Sequence, residues 1–290
     1  MCRLFAMSSG TAAAKATFWL LDAPDSIAAQ SHREPDGTGV GWFDAQGRPH
    51  MRKQAIAAYE DAAFAREARE LCSRTFIAHI CFASTGALKP DNTHPFEQEG
   101  RLFAHNGVIE GLESLDAKLG EALAVVKGDT DSERFFALIS REAAAHGGDL
   151  EAGIAAACNW VAASLPLLSI NFVLIEADEL WALRYPETHE LHILEREPGR
   201  RLEHASSLGA RILSEHGAEH PLVVIASERL DGDPGWRALR SGELVHVSAS
   251  LAVRSRQLLS GPPAHPLTLA DLGERARASQ AGAEAAAGGA

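Results

Sequence analysis

The chain opens Met1-Cys2-Arg3-Leu4-Phe5-Ala6-Met7, and its second residue decides how the rest is read. Cysteine is small enough for the methionine before it to be removed, which would leave a thiol and a free α-amine on one residue. Their reference pKa values are close, about 8.5 and about 7.7 to 8.0, so near neutrality the amine can take the thiol proton and the thiolate can attack. Taken alone, the same residue is equally an ordinary buried thiol on a first strand, because a single cysteine carries little information.

Working outward, 290 residues with 46% apolar content suffice for one large core without a disulfide or metal staple. The balance of 27 basic and 39 acidic residues, a net charge of −12, argues against nucleic acid or an anionic membrane surface as partner. Lys15 and Asp22 bound the apolar Phe18 to Leu21 run, which therefore does not read as a signal peptide. Asn159, Pro166 and Asn171 break the only other long apolar stretch, so a cytoplasmic location is expected. Cys2, Cys72, Cys81 and Cys158 share no C-x-x-C spacing, and Cys72 and Cys158 fall in helix-like patterns that predict burial.

Arg3 to Met7, Thr38 to Phe43, Pro49 to Ile56, Thr75 to Phe82 and Arg101 to His105 have strand composition. Glu60 to Cys72, Ser132 to His146 and Leu150 to Ser164 have helical spacing. Strand-like pieces then return at Ser169 to Glu176, Leu180 to Tyr185, His189 to Leu194, Leu222 to Ala226 and Leu244 to Val247. Strands, helices and strands without regular βαβ alternation predict an α+β fold of antiparallel sheets covered by helices. One domain over 2–260 is expected, with 261–290 a Pro-containing, then Ala/Gly-rich tail too poor in apolar bulk to anchor itself.

Two short segments have a plain structural reading. Asn106-Gly107, as an isolated dipeptide, reads as a preferred hairpin turn. Thr130-x-x-Glu133 fits a capping box, which makes Asp131 a first-turn acid.

The ordered set Cys2-Arg3, Asp36-Gly37-Thr38-Gly39, Ala78-His79, Asn92-Thr93-His94-Pro95-Phe96, His105-Asn106-Gly107 and Thr130-Asp131-Ser132-Glu133 resembles the class II glutamine amidotransferase domain. That family belongs to the N-terminal-nucleophile hydrolases. The resemblance implies a four-layer αββα sandwich of two antiparallel sheets flanked by helices. It implies Cys2 as nucleophile, Asn106 and Gly107 as the oxyanion hole, and Asp131 as the group that binds a substrate α-ammonium.

This sequence departs from the family at two places. Thr38 stands where related stand-alone members have tryptophan. Cys81, in His79-Ile80-Cys81-Phe82-Ala83-Ser84-Thr85, stands where the family has the arginine that grips the substrate α-carboxylate. Ser84 and Thr85 keep hydroxyls at positions of polar substrate contact. Cysteine cannot replace a bidentate guanidinium, so free glutamine is expected to bind poorly unless Lys89, Arg33, Arg74 or Arg101 reaches the same place.

The expectation is a Cys2-dependent amidohydrolase that cleaves glutamine or a γ-glutamyl amide through a γ-glutamyl thioester. The chain after about Ser250 is too short for a fused synthase. The alternatives are a glutaminase subunit supplying ammonia to a separate synthase, or a degenerate, non-catalytic ligand-binding member. No cofactor is expected: there is no P-loop, and His189-Glu190-Leu191-His192 lacks zinc-ligand spacing.

Overall fold

Strand β1 (Arg3–Ser8) is buried along its whole length, which requires cover on both faces. The computed structural model, which describes residues 2–81, 89–198, 202–205, 211–214, 220–274 and 276–277, shows what supplies that cover. Phe5 and Met7 point into an apolar cluster with Phe18, Trp19 and Phe64, while Leu4 and Ala6 point into a second cluster with Ile77 and Val173.

Antiparallel pairing builds the first sheet in the order β13 (Arg237–Ala238), β9 (His192–Arg196), β12 (Leu222–Ala226), β1, β4 (Thr75–Cys81), β2 (Gly37–Phe43), β3 (Pro49–Gln54). The second sheet runs β15 (Val253–Gln257), β14 (Glu243–Val247), β8 (Leu180–Arg184), β7 (Pro166–Ile175), β6 (Arg101–Ile109), β5 (Phe96–Gln98). A short hairpin, β10 (Leu202–Ala205) with β11 (Arg211–Ser214), stands outside both sheets.

On the outer face of the first sheet lie α1 (Ile27–Gln30), α2 (Ala62–Glu70) and a turn of π-helix (Phe18–Asp22). Asp61 caps α2 by accepting from Ala63 and Phe64 N–H, and the i,i+4 pair Phe64 and Ala68 faces inward. On the outer face of the second sheet lie α3 (Leu112–Leu119), α4 (Asp131–Ala145) and α5 (Leu150–Ser164). Gly153 lets the last two helices approach closely, since a Cβ there would lie 2.4 Å from Ala143 N. The layers are therefore helix, sheet, sheet, helix, the expected α+β sandwich.

Two sequence expectations are corrected. Asn106-Gly107 is not a hairpin turn, because β6 continues to Ile109 and pairs with β7 throughout. The stretch beyond Ser260 is not a loose tail over its described part: β16 (His265–Pro266) pairs in parallel with β7, and Leu272 is buried. Composition underestimated that segment because its leucines are spaced singly, and each finds a place on a neighbouring element.

Candidate active site

Cys2 enters at the head of β1, the strand that lies between β12 and β4, and is almost fully buried. Across the gap between the sheets, Asn106 Nδ2 donates to Cys2 O at 2.9 Å. This contact joins residues 104 positions apart and rests on strand alternation. Leu102 and Ala104 face the other sheet while Phe103 faces the helices, so Asn106 faces the other sheet too. An amide has two N–H groups, and the bond to Cys2 uses one of them.

Gly107 stands opposite Ile170 in the ladder, and Ile170 N–H donates to Tyr185 O on the far side of β7. Antiparallel residues direct both backbone groups to the same side, so the Gly107 N–H points away from β7. On that side β5 has already ended, its pairing with β6 reaching only Phe103. Asn106 and Gly107 thus carry amide donors at one place on β6. Gly107 must lack a side chain, because a Cβ would lie 1.8 Å from Ser169 O.

Asp131 begins α4 and is buried against the end of the same strand. Its Oδ2 accepts from Ile109 N–H at 2.8 Å, and its Oδ1 accepts from Ser132 N–H at 2.9 Å. Thr130 caps the helix by accepting from Glu133 N–H. The second half of the box is different: Glu133 accepts from Lys127 and Gly128 N–H and so fixes the approach to the helix.

The motif segments gave no role to several groups that hold these residues. His105 Nδ1 lies 2.9 Å from Ser132 Oγ and its Nε2 lies 3.2 Å from Ser169 O, tying β6 to α4 and β7. Ser169 Oγ donates to Asn106 O. Burial lowers the His105 pKa. His79 and His94 are buried with ring centroids 4.1 Å apart, and Phe96 meets His94 edge-on at 4.7 Å. Burial, with His79 beside it, holds His94 well below the ordinary histidine range. Gly39 makes room for this arrangement, since a Cβ there would lie 1.9 Å from His94 O. Glu34, buried and 3.8 Å from the Arg3 guanidinium, is pushed up to about 7 by burial.

The end of the site near Cys81 looks different. Cys81 closes β4 in register with Gly37, while Ser84 and Thr85 lie outside the described residues. Thr38 is directed to Ile56 O, to which its hydroxyl donates. The four substitute cations considered from sequence are all engaged elsewhere. Arg33 pairs with Asp25 and Glu228, Arg74 with Asp178, Arg101 with Glu99 and Glu176, and Lys89 with Asp129 at 2.8 Å. Lys53, which sequence reading did not single out, is half-buried, donates to Pro95 O and forms no ion pair among the described residues. Burial lowers its pKa.

The remaining cysteines separate. Cys158 is buried as expected, and burial raises its thiol pKa far above the ordinary range. Cys72 is exposed, against expectation, because α2 ends at Glu70 and leaves it outside the helical face. Among the described residues no cluster of histidine, cysteine and carboxylates is suited to a metal, and no helix is long and apolar enough to cross a membrane.

A sandwich of two antiparallel sheets flanked by helices, with a cysteine at the head of a central strand, is the fold class of the N-terminal-nucleophile hydrolases. Residues 1–260 match the family described as glutamine amidotransferases class-II, and the chain belongs to it. It is 25% identical over 238 residues to the gamma-glutamyl-hercynylcysteine sulfoxide hydrolase of Mycolicibacterium smegmatis, covering 79% of this chain and 88% of that protein. The fold is similar to a class-II glutamine aminotransferase domain protein from Silicibacter pomeroyi, with TM-score 0.58, 21% identity, and coverage of 89% and 100%. It is also similar to the glutamine phosphoribosylpyrophosphate amidotransferase of B. subtilis, with TM-score 0.63, 17% identity, and coverage of 90% of this chain and 50% of that one.

Proposed function

We propose that the protein is a Cys2-dependent amidohydrolase whose substrate is a γ-glutamyl amide other than free glutamine. Removal of Met1 gives Cys2 a free α-amine, which takes the thiol proton. The thiolate attacks the γ-carbonyl carbon, and the oxyanion that forms is held by the free N–H of Asn106 and the N–H of Gly107. The protonated α-amine then gives its proton to the departing amine as the C–N bond breaks, leaving a γ-glutamyl thioester. Water, losing a proton to the α-amine, attacks the thioester, and glutamate leaves as the thiol is restored. Asp131 receives the substrate ammonium with the carboxylate lone pair that Ile109 N–H, Ser132 N–H and Ser132 Oγ leave open.

The observation that carries this reading is the bond from Asn106 to Cys2 across the two sheets, which sets an amide donor beside the nucleophile. The choice of substrate rests on Cys81, on the engagement of Arg33, Arg74, Arg101 and Lys89 elsewhere, and on the γ-glutamyl compound in the name of the mycolicibacterial relative. Delivery of ammonia to a separate synthase would instead require efficient use of free glutamine.

Intact mass of the purified protein, alone and after incubation with a panel of γ-glutamyl amides, tests the scheme. Loss of Met1 and a γ-glutamyl adduct on Cys2 are expected. Cys2→Ala should lower hydrolysis of the best substrate by about 10⁴-fold or more, the order seen when a nucleophile is removed. Retained hydrolysis in that variant would overturn the nucleophile assignment.

A further inference from the structure

Beyond Ser260 the chain returns to β7, the strand paired with the one that carries the amide donors. Ala264 N–H donates to Ala162 O of α5 at 2.8 Å, and Leu267 N–H donates to Leu167 O at 2.9 Å, seating β16 along β7. Asp271 closes the following turn by accepting from Thr268 N–H and Oγ1. Arg277 donates to the carbonyls of Leu269, Ala270 and Leu272, which ties the turn from within. Leu272, only 2% exposed, is thereby pressed against Val108 and Leu168.

Those two residues mark an irregularity in the sheet. Val108 pairs with Ser169 and Ile109 with Leu167, so Leu168 is an extra residue on β7. Such a bulge breaks the ladder, increases the local twist and re-aims neighbouring groups. Here it lies between Gly107 and Ile109, the residue whose N–H is held by Asp131. The direction of the Gly107 N–H, and its distance from Asp131, depend on the shape of this irregular segment. Val108 lies on the same face as Asn106, two residues along the strand.

We propose that the segment 265–274, through Leu272, is a positioning element for the Asn106 and Gly107 donors. This rests on the reading of those residues as an oxyanion hole. Thr188 Oγ1 donates to Leu168 O and Glu110 N–H to Pro166 O around the bulge, and Leu272 adds the apolar cover from outside the stretch matched by the family. A donor pair must be held within about 0.5 Å of its productive position, which gives a remote leucine leverage on the reaction.

The test compares two ligands of the full-length protein. L-Glutamate γ-semialdehyde accepts the Cys2 thiol across its C=O bond, sulfur bonding to carbon and the oxygen entering the donor site; L-glutamate cannot do this. In the wild type the aldehyde should bind more tightly than glutamate. Leu272→Ala should cut that preference about tenfold, less than the ~100-fold that a 1 Å misplacement can cost, with glutamate affinity unchanged. Leu272→Met should restore it. If the alanine variant does not fold, Leu272→Val should still reduce the preference about threefold, in proportion to its smaller cavity. An unchanged preference in a folded Leu272 variant, or equal loss for both ligands, overturns the inference. Asn106→Ala separates the two levels: a lost preference there with intact Leu272 variants removes only this inference, whereas an unchanged preference removes the oxyanion reading and this inference together.

Discussion

The two ends of the candidate site are built to different standards. Around β6 three residues are each fixed twice: Asn106 by Cys2 and Ser169, Asp131 by Ile109 and Ser132, and His105 by Ser132 and Ser169. At the other end Cys81 ends its strand, and Arg74 and Arg101 hold surface acids. Under the proposed function, bond-breaking machinery and substrate grip are thus separable. The first would depend on rigid backbone geometry, whereas the second would depend on one long side chain that can be lost without disturbing the sheet.

The largest effect, after loss of the nucleophile, should come from the donor side. Asn106→Ala removes a donor that is worth about 10²- to 10³-fold in kcat in comparable sites. Steady-state kinetics should show a fall of that size with KM little changed. A fall confined to KM would move Asn106 from the transition state to ground-state binding, and the contrast between the two ends would lose its basis.

The opposite end should respond in the opposite direction. Cys81→Arg restores the planar fork that the family uses, and a desolvated charge pair is worth about 2–5 kcal/mol. Free glutamine should then become a better substrate by roughly 30-fold or more in kcat/KM, most of it through KM. If a folded Cys81→Arg variant hydrolyses glutamine at the wild-type rate, the missing guanidinium is not what limits the enzyme.

The same division explains what could be read without coordinates. β1, β6, α4 and α5 were legible because long buried elements impose strict apolar periodicity. α3 was missed: it starts at Gly111 in a left-handed conformation with no side-chain cap, so no capping residue announces it. β15 was missed because its exposed Val253–Gln257 sequence is mostly polar. Cys2, Asn106, Gly107 and Asp131 stood in recognisable segments. Ser169 and Leu272 did not, since they come from elements far from β6 in sequence and meet it only through sheet pairing and bulge geometry.

A smaller effect should reveal how the two ends are joined. The tilted, buried rings of His79 and His94 are in contact, with Phe96, Lys53 and His105 as the other aromatic or titratable neighbours of His94. The folded-state pKa of His94 is depressed below its ordinary 6.5. Above that value both folded and unfolded chains carry a neutral ring. As the pH falls below it, only the unfolded chain takes up the proton, so stability is progressively lost. His105 acts in the same sense, being lowered by burial as well. Glu34 acts in the opposite sense: its pKa rises from 4.5 to about 7, so its contribution is gained as the pH falls through that range. One pH unit below 6.5 costs at most about 1.4 kcal/mol for each histidine, or roughly 3 °C in melting temperature. Between pH 7.5 and 5.5 the histidine cost and the Glu34 gain largely offset one another in the wild type, so Glu34→Gln should lose a few degrees and His94→Phe should gain relative to wild type. Parallel melting curves for wild type and His94→Phe would mean that the tilted pair takes up protons freely, and that the middle of the site is open to water rather than closed between its two ends.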